Sequence, residues 1–211
     1  MYIDYLKYRY AVYNNDVVIL DIYNDKFSFI EDAVTEYSSF QLDHDAAVLL
    51  KSQFNLTTQS FVSGLNNDDY FDVRWIKPES TNKNPRHSQK ALTLLFLYKL
   101  ISCINKEGFK YIIRGKNRLE ISRRMNCNID DAIDSTFTKI NSVFNYFDLK
   151  NPCLVYSYAA SLLLAKQGYD SKVVVGVRTR PFISHAWLEV DGLVVGDDKD
   201  LRDKLSVILE V

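Results

Sequence analysis

The sequence predicts an α+β fold in two parts, and three features of the 211-residue chain support this prediction. Short runs of β-branched and aromatic residues fill the N-terminus, apolar residues at helical spacing dominate the middle, and strand-like runs return near the C-terminus. A polar segment, Lys77–Arg86, carries two of the four prolines and is the best linker candidate. We therefore predict two domains, at residues 1–82 and 83–211.

The composition is that of an ordinary globular protein and excludes several classes. Apolar residues make up 47% and charged residues 25%, both near globular averages. The net charge of −1 argues against a surface that coats nucleic acid. No segment reaches the ~18 uninterrupted apolar residues of a membrane span, and the N-terminus lacks the apolar core of a secretion signal.

Cys103, Cys127 and Cys153 are an odd number of cysteines without CxxC spacing. An internal disulfide framework and a zinc site are therefore not expected. The simplest explanation is a reducing cytoplasm in which the thiols stay free. We expect a cytoplasmic protein with no metal, no nucleic-acid partner and no membrane span.

The N-terminal part is predicted to form a three-stranded antiparallel sheet. Its strand-like runs, Tyr8–Tyr13, Val17–Tyr23 and Phe27–Ile30, are separated by clusters of Asn and Asp, which are typical of turns. From Glu31 to about Lys51 the pattern becomes helical, and the stretch 53–71 is less regular.

Three helices are predicted in the C-terminal part. The first spans about Ser88–Asn105 and ends before Gly108, and the second follows an apolar stripe over Ile129–Phe147 with Asn128 as its N-cap. The third covers 152–168, with proline at its start and glycine at its end.

Strands are predicted to follow the third helix at Lys172–Val177, Ala186–Val190 and Leu193–Val195. Asp191-Gly192, between the last two, is typical of a tight hairpin turn. The helix and these strands are expected to form one compact unit.

One combination of residues in this unit suits nucleophilic catalysis. Cys153 lies in the predicted first turn of a helix, where the dipole and backbone N–H groups favour the thiolate and hold an oxyanion. His185 begins a strand, and Asp197 and Asp198 end the next one. A nucleophile, a base and an orienting carboxylate in this order meet the needs of Cys-His-Asp catalysis.

Each of these residues alone has an ordinary structural explanation. A cysteine at a helix start is more often structural, and a histidine beside Trp187 is more often packed than catalytic. Two aspartates after a hairpin usually belong to a solvated turn. The functional hypothesis therefore rests on all three residue types occurring together, in an order that lets them converge.

Three segments resemble transglutaminase-like peptidases and, more narrowly, the B proteins of lasso-peptide biosynthesis. They are Asn151–Ala165, Val173–Phe182 and His185–Gly192. The tail, Leu201–Val211, is similar to the members that process a microcin precursor. The resemblance covers most of the chain and is strongest from about residue 150 onward.

The resemblance implies a cysteine peptidase that removes the leader from a ribosomally made precursor peptide. Cys153 would be the nucleophile, His185 the general base and then acid, and Asp197 the orienting carboxylate. A partner cyclase related to asparagine synthetase then uses ATP to close the macrolactam. This chain is expected to bind no cofactor, and any need for ATP with Mg is attributed to the cyclase.

The resemblance also implies the nature of both domains. The C-terminal domain would be papain/transglutaminase-like, and the N-terminal domain a small winged-helix-like module that recognises the leader. The leader would add a strand to an exposed sheet edge. The residues implied in its binding are Val17, Ile19, Asp21, Phe27 and Phe29.

The choice between two carboxylates depends on the hairpin before them. In a plain two-residue hairpin His185 would face Asp198, whereas one additional loop or bulge residue brings Asp197 onto the histidine face. The family spacing favours Asp197, so we predict a bulged or longer hairpin.

The loop before His185 contains Arg178 and Phe182, which are candidates for lining the substrate cleft; a solvated loop explains them equally well. Two other functions stay open at this point. One is a binding module that has lost catalysis and only escorts the precursor to its cyclase. The other is an acyl-enzyme captured by an amine instead of water.

Overall fold

A computed structural model describes residues 7–36, 41–42, 44–54, 56, 61–67, 75–80, 84–116 and 128–211. The elements in chain order are β1 (Tyr8–Tyr13), β2 (Asp16–Asp21), β3 (Lys26–Ile30), β4 (Val34–Glu36), β5 (Gln41–Leu42), α1 (His44–Phe54), β6 (Phe61–Leu65), α2 (His87–Glu107), α3 (Phe109–Lys116), α4 (Ile129–Phe144), α5 (Pro152–Ala165), β7 (Lys172–Arg178), β8 (Ile183–Val190), β9 (Leu193–Val195), α6 (Leu201–Lys204) and β10 (Ser206–Glu210). This mixture confirms the predicted α+β class. The winged-helix-like character of the N-terminal part stays a prediction.

The chain divides into two compact units. The first contains the described residues up to 73 together with Val175–His185 and Asp200–Glu210. The second contains the described residues from 74 to 174 together with Ala186–Lys199 and Val211. The domain boundary between residues 82 and 83 stays a prediction.

The first unit contains a four-stranded sheet with the order β3-β2-β1-β6. The antiparallel pairs β1–β2 and β2–β3 confirm the predicted three-stranded arrangement. Asn14 and Asp25 adopt positive φ angles of 51° and 54° in the two connecting turns, which suits Asn and Asp. The fourth strand, β6, runs parallel to β1 and was missed because Ser63 and Gly64 interrupt its apolar pattern.

The prediction of a helix from Glu31 to about Lys51 is wrong in its first half. A turn, β4 and β5 lie in that region, and among its described residues the helical ones are those of α1, from His44 onward. Val34 donates its backbone N–H to the Asn15 carbonyl at 3.0 Å. Ala33 and Val34 are buried with the sheet residues, so tertiary packing overrides the helical pattern.

The core of the first unit lies between the sheet and α1. Its buried members come from β1, β2, β4 with the residue before it, and α1: Val12, Val17, Ile19, Ala33, Val34, Ala46 and Leu50. Tyr8 packs edge-on against Phe54 of α1, with ring centroids 5.3 Å apart. The side chains of β2 therefore fix the sheet against the helix.

The second unit is built on α2, α4 and α5, which pack against one another. Helix α2 confirms the first predicted helix and ends at Gly108, whose φ is 54°. Helix α4 confirms the second, and Asn128 is its N-cap residue, although its side chain makes no capping hydrogen bond. Helix α3 was not predicted from the sequence, because Gly108 favours the end of a helix.

A second four-stranded sheet has the order β10-β7-β8-β9. Strands β7, β8 and β9 confirm the predicted runs, and β8 begins three residues early, at Ile183. Strand β10, close to the end of the chain, was not predicted. Within the described residues, no helix is both long enough and apolar enough to cross a membrane.

Candidate functional site

Helix α5 places Cys153 in its first turn, as the sequence predicted. Pro152 is the first helical residue, and Cys153, the second, is half-buried. The backbone N–H groups in the first turn of a helix have no acceptor inside the helix. They are therefore available to donate to a substrate group that approaches the thiol. Ten of the fourteen residues of α5 are buried, which makes the helix a fixed support for the cysteine.

Tyr156 fixes the beginning of α5 on the second unit. Its ring contacts those of Trp75, Phe137 and Phe144 at centroid distances of 5.2–5.7 Å. Its hydroxyl donates to Oδ1 of Asn141 on α4 at 3.0 Å. Burial raises the pKa of Tyr156 far above its usual value, so the hydroxyl remains a donor.

Ser157 connects α5 to the strand that carries the histidine. It lies one helical turn after Cys153 and is buried, and its hydroxyl donates to the Ala186 carbonyl at 3.2 Å. Ala186 directly follows His185 in β8, and the His185 side chain is 7% exposed. The hydrogen bond therefore anchors β8 at the residue next to the candidate base.

Beyond His185, the same strand contains a buried polar pair. Alternation along β8 puts His185, Trp187 and Glu189 on one face. The Trp187 indole N–H donates to a Glu189 carboxylate oxygen at 2.8 Å, and both side chains are buried. Trp187 is therefore a packed residue with a fixed ring.

The predicted bulged or longer hairpin is wrong. Val190 pairs with Leu193 and Leu188 with Val195, so the loop consists of two residues only. Asp191 and Gly192 have φ angles of 51° and 79°, which the two-residue turn with positive φ at both positions requires. Because this pair satisfies the turn without strain, no additional residue is needed.

The regular pairing ends before it reaches either candidate carboxylate. Gly196 has a φ of 73°, and an added Cβ there would lie 2.7 Å from the Phe137 ring and 2.9 Å from Pro78. Only glycine fits this close approach. The half-buried Asp197 follows directly, and its carboxylate accepts the Asp198 N–H at 2.9 Å. The chain leaves the ladder at Gly196, before Asp197 and Asp198, so the hairpin register alone does not determine which carboxylate faces His185.

The residues implied in leader binding divide into three groups. Val17 and Ile19 are buried in the core of the first unit, on a strand with neighbours on both sides. Asp21 accepts the backbone N–H groups of Tyr23 and Asn24 at 2.9 and 3.0 Å and so shapes the β2–β3 turn. These three side chains support the sheet.

Phe27 and Phe29 lie on the edge strand β3 and point to the same face, since they are two residues apart. Phe182, from the turn after β7, joins them at ring distances of 5.4 and 6.3 Å. Phe29 is 50% and Phe182 40% exposed. Phe27, Phe29 and Phe182 therefore form an exposed aromatic patch.

Arg178 is buried at the end of β7, and its guanidinium lies over the Tyr13 ring at 5.6 Å. This cation–π contact makes Arg178 part of the packing of the first unit. Sequence reasoning missed a charged cluster on the same turn, in which Arg180 binds Asp16 and Asp32. No local pattern signals it, because the members lie up to 164 residues apart.

Among the described residues, no group of three or more His, Cys, Asp or Glu side chains could hold a metal ion.

Comparisons with known proteins identify relatives of this chain. A family model described as "Transglutaminase-like superfamily" matches residues 109–210, which include α5, β8 and the Asp197 turn. The chain is 32% identical over 213 residues to the Microcin J25-processing protein McjB of Escherichia coli. That alignment covers 98% of this chain and all of the relative. No solved structure matches the chain.

Proposed function

Since this chain belongs to the lasso-peptide biosynthesis B proteins, we propose that it is a cysteine peptidase that removes the leader of a lasso-peptide precursor. Its transglutaminase-like region and its similarity to a microcin-processing protein over almost the whole chain support a processing role. The released core peptide would then pass to the asparagine-synthetase-like cyclase, which forms the macrolactam.

The proposed reaction begins with attack of the Cys153 thiolate on the carbonyl carbon of the last leader residue. Backbone N–H groups of the first turn of α5 stabilise the resulting oxyanion. His185 gives a proton to the departing amine of the core peptide, which leaves the leader as a thioester on Cys153. Water, deprotonated by His185, then hydrolyses the thioester and restores the thiol. Asp197 keeps the imidazole oriented.

The observation that carries this proposal is the local arrangement of α5 and β8. Cys153 occupies the first turn of a helix that is buried almost throughout, and one turn later Ser157 binds the carbonyl next to His185. A reactive thiol needs such a rigid support, because small displacements of reacting groups cost large factors in rate.

Leader docking is assigned to the outer edge of β3. This strand ends the sheet order, so within the described strands it has a neighbour on one side only. An extended peptide can add a strand there through backbone hydrogen bonds, and an apolar side chain can reach Phe27 and Phe29. The core residues Val17 and Ile19 would support this surface through the packing of β2. Asp21 would support it by shaping the β2–β3 turn.

The proposed partners are therefore the precursor peptide and the cyclase. ATP and Mg would be bound by the cyclase, where the carboxylate that forms the macrolactam is activated, and peptide hydrolysis itself needs no nucleotide. The cytoplasm is the proposed compartment, since an active thiol and a freshly translated precursor are both present there.

Mass spectrometry of the precursor encoded beside the gene tests the proposal. The precursor would be incubated with the wild type, Cys153→Ala or Cys103→Ala, each with and without cyclase. Cys103 is a matched control, because it is also half-buried and lies on another helix of the same unit. We expect one cut at the leader–core junction that requires Cys153 and not Cys103.

Intact precursor with every variant, together with normal binding, would replace the peptidase proposal by the escort function. A product joined to an added amine would instead indicate acyl transfer. Both results would leave the docking assignment standing, because binding is measured separately.

A further inference from the structure

A buried carboxylate at the start of β2 is bound by an arginine from a distant part of the chain. Asp16 is 0% exposed. Its two oxygens accept Nε and Nη2 of Arg180 at 3.1 and 2.7 Å, the forked geometry that makes arginine–carboxylate pairs strong. The Asp32 backbone N–H donates to the same carboxylate at 2.9 Å.

The second contact of Arg180 is with the Asp32 side chain, at 2.9 Å. Burial alone would raise the pKa of Asp16, but hydrogen bonds from the Asp32 backbone and from Arg180 lower it below its ordinary value. Asp16 therefore stays charged near neutral pH, where it forms an ion pair with Arg180.

The backbone at Arg180 has an unfavourable conformation. Its φ is 59°, in the left-handed region that L-residues other than Gly, Asn and Asp rarely adopt. Such strain persists only where the surroundings over-determine it, and it is concentrated near functional sites. Here the two carboxylates hold the side chain, so the ion pairs maintain the strained turn.

The same turn has a second anchor and a direct connection to the candidate base. Phe182 stacks on Phe29 with an interplanar angle of 14°. The turn, 179–182, joins β7 to β8, and His185 is the third residue of β8. The position of this turn therefore sets where the histidine strand begins.

We infer that Arg180 is a positioning residue that ties the placement of His185 to the sheet proposed to dock the leader. Asp16 and Asp32 are the anchors of Arg180 on that sheet, on β2 and on the turn after β3. This inference rests on the proposed function, because it assigns to Arg180 a task in the reaction of Cys153 and His185.

The test compares Arg180→Met with Arg202→Met in the full-length protein. Arg202 is a matched control, because it also forms a 2.7 Å ion pair, with Glu210, in the same unit but away from the turn. For each variant the kcat and KM of precursor cleavage and the Kd of a synthetic leader peptide are measured. We expect kcat to fall about 10-fold or more in Arg180→Met alone, with Kd within about twofold of the wild type.

A substrate-free readout follows the histidine itself. The alkylation rate of Cys153 by iodoacetamide is measured by peptide mass spectrometry between about pH 5 and 9. In the wild type the profile should differ from that of His185→Ala, because the imidazole assists the thiol. Arg180→Met should move toward the His185→Ala profile, and Arg180→Lys, which keeps the charge, should recover part of the difference.

The outcomes distinguish a failure of the proposed function from a failure of the inference about Arg180. A wild-type profile identical to that of His185→Ala, without cleavage, would overturn the proposed function and this inference together. A distinct wild-type profile with unchanged kcat in Arg180→Met would overturn this inference alone. Equal losses in Arg180→Met and Arg202→Met would reduce Arg180 to a structural residue. If Arg180→Met does not fold, Arg180→Gln, which retains a donor for Asp16, gives the same comparison.

Discussion

Edge strand β3 and helix α5 carry the two halves of the proposed activity, and they are packed in opposite ways. Ten of the fourteen residues of α5 are buried, whereas all five residues of β3 are exposed or half-exposed. A reacting thiol must be held in place, and a docking strand must leave its edge and its aromatic rings accessible. Changes around α5 should therefore appear in kcat, and changes on β3 in affinity.

The largest expected effect comes from the base. His185→Ala should lower kcat by about 10³-fold, because general acid–base catalysis is lost from both steps. The leader Kd should stay within about twofold of the wild type. His87→Ala, an exposed histidine at the start of α2, is the control and should cleave normally. A weaker leader affinity in His185→Ala would contradict the assignment of catalysis and leader binding to different regions.

The next effect concerns the turn before the orienting carboxylate. Gly196→Ala places a Cβ 2.7 Å from the Phe137 ring and keeps a positive φ, so the turn must shift and move Asp197. We expect a kcat loss of about 10–100-fold and a loss of about 2–3 kcal/mol in the free energy of unfolding.

Gly192→Ala is the matched control for that variant. Gly192 also has a positive φ, of 79°, but an added Cβ meets no atom within 4 Å. Only the backbone strain remains, about 1–2 kcal/mol. Denaturant unfolding and steady-state cleavage check both variants. Equal kcat values in the two would show that the position of Asp197 does not matter for the reaction.

Several features of the fold could be predicted because they depend on neighbours in sequence. The dipeptide Asp191-Gly192 favours a two-residue hairpin turn by itself. The apolar residues of α4 recur at helical spacing, which predicts the face that is buried. The helix predicted from Glu31 failed because Ala33 and Val34 pack against the distant residues Val17 and Ile19. Local periodicity does not contain that information.

The candidate site was predictable to a different extent on each element. Cys153 in the first turn of α5 follows from the adjacent proline. The Arg180 cluster could not be predicted, because Asp16 and Arg180 meet only after β2 and β7 have folded into one unit. The hairpin prediction failed because it extended the strand register beyond Val195, where Gly196 turns the chain away.

A third prediction concerns Asp16, which is buried in the first unit, the one whose sheet is proposed to dock the leader. Asp16→Asn should lower the free energy of unfolding by about 2 kcal/mol at pH 7, because charge-assisted hydrogen bonds are lost. The pKa of Asp16 is lowered in the folded state, so its contribution is complete above the unfolded value of 3.8 and is lost as the pH falls through the folded value.

The difference between wild type and Asp16→Asn should therefore be constant from neutral pH down to about 5 and shrink below 3.8. Urea unfolding at several pH values measures it. The control is Asp32→Asn, whose side chain is 71% exposed and should change stability by less than about 1 kcal/mol. A difference that grows toward low pH would mean that Asp16 is not a stabilising charge.

The smallest expected effect is on the exposed patch itself. Phe29→Ala should weaken leader binding about 10-fold, since a half-exposed ring contributes part of its area to a docked side chain. The kcat at saturating precursor should stay unchanged, because Phe29 lies on the strand proposed to dock the leader and not on an element that carries a catalytic residue. Tyr146→Ala, an equally aromatic change at a position 76% exposed in the second unit, is the control.

Fluorescence anisotropy with a labelled leader peptide gives Kd, and cleavage at saturation gives kcat. An unchanged Kd in Phe29→Ala would move the docking site away from β3. A lower kcat with an unchanged Kd would have another meaning. Phe29 supports Phe182, so the patch would then act on the reaction through the Arg180 turn, and the exposed edge would serve the histidine as well as the leader.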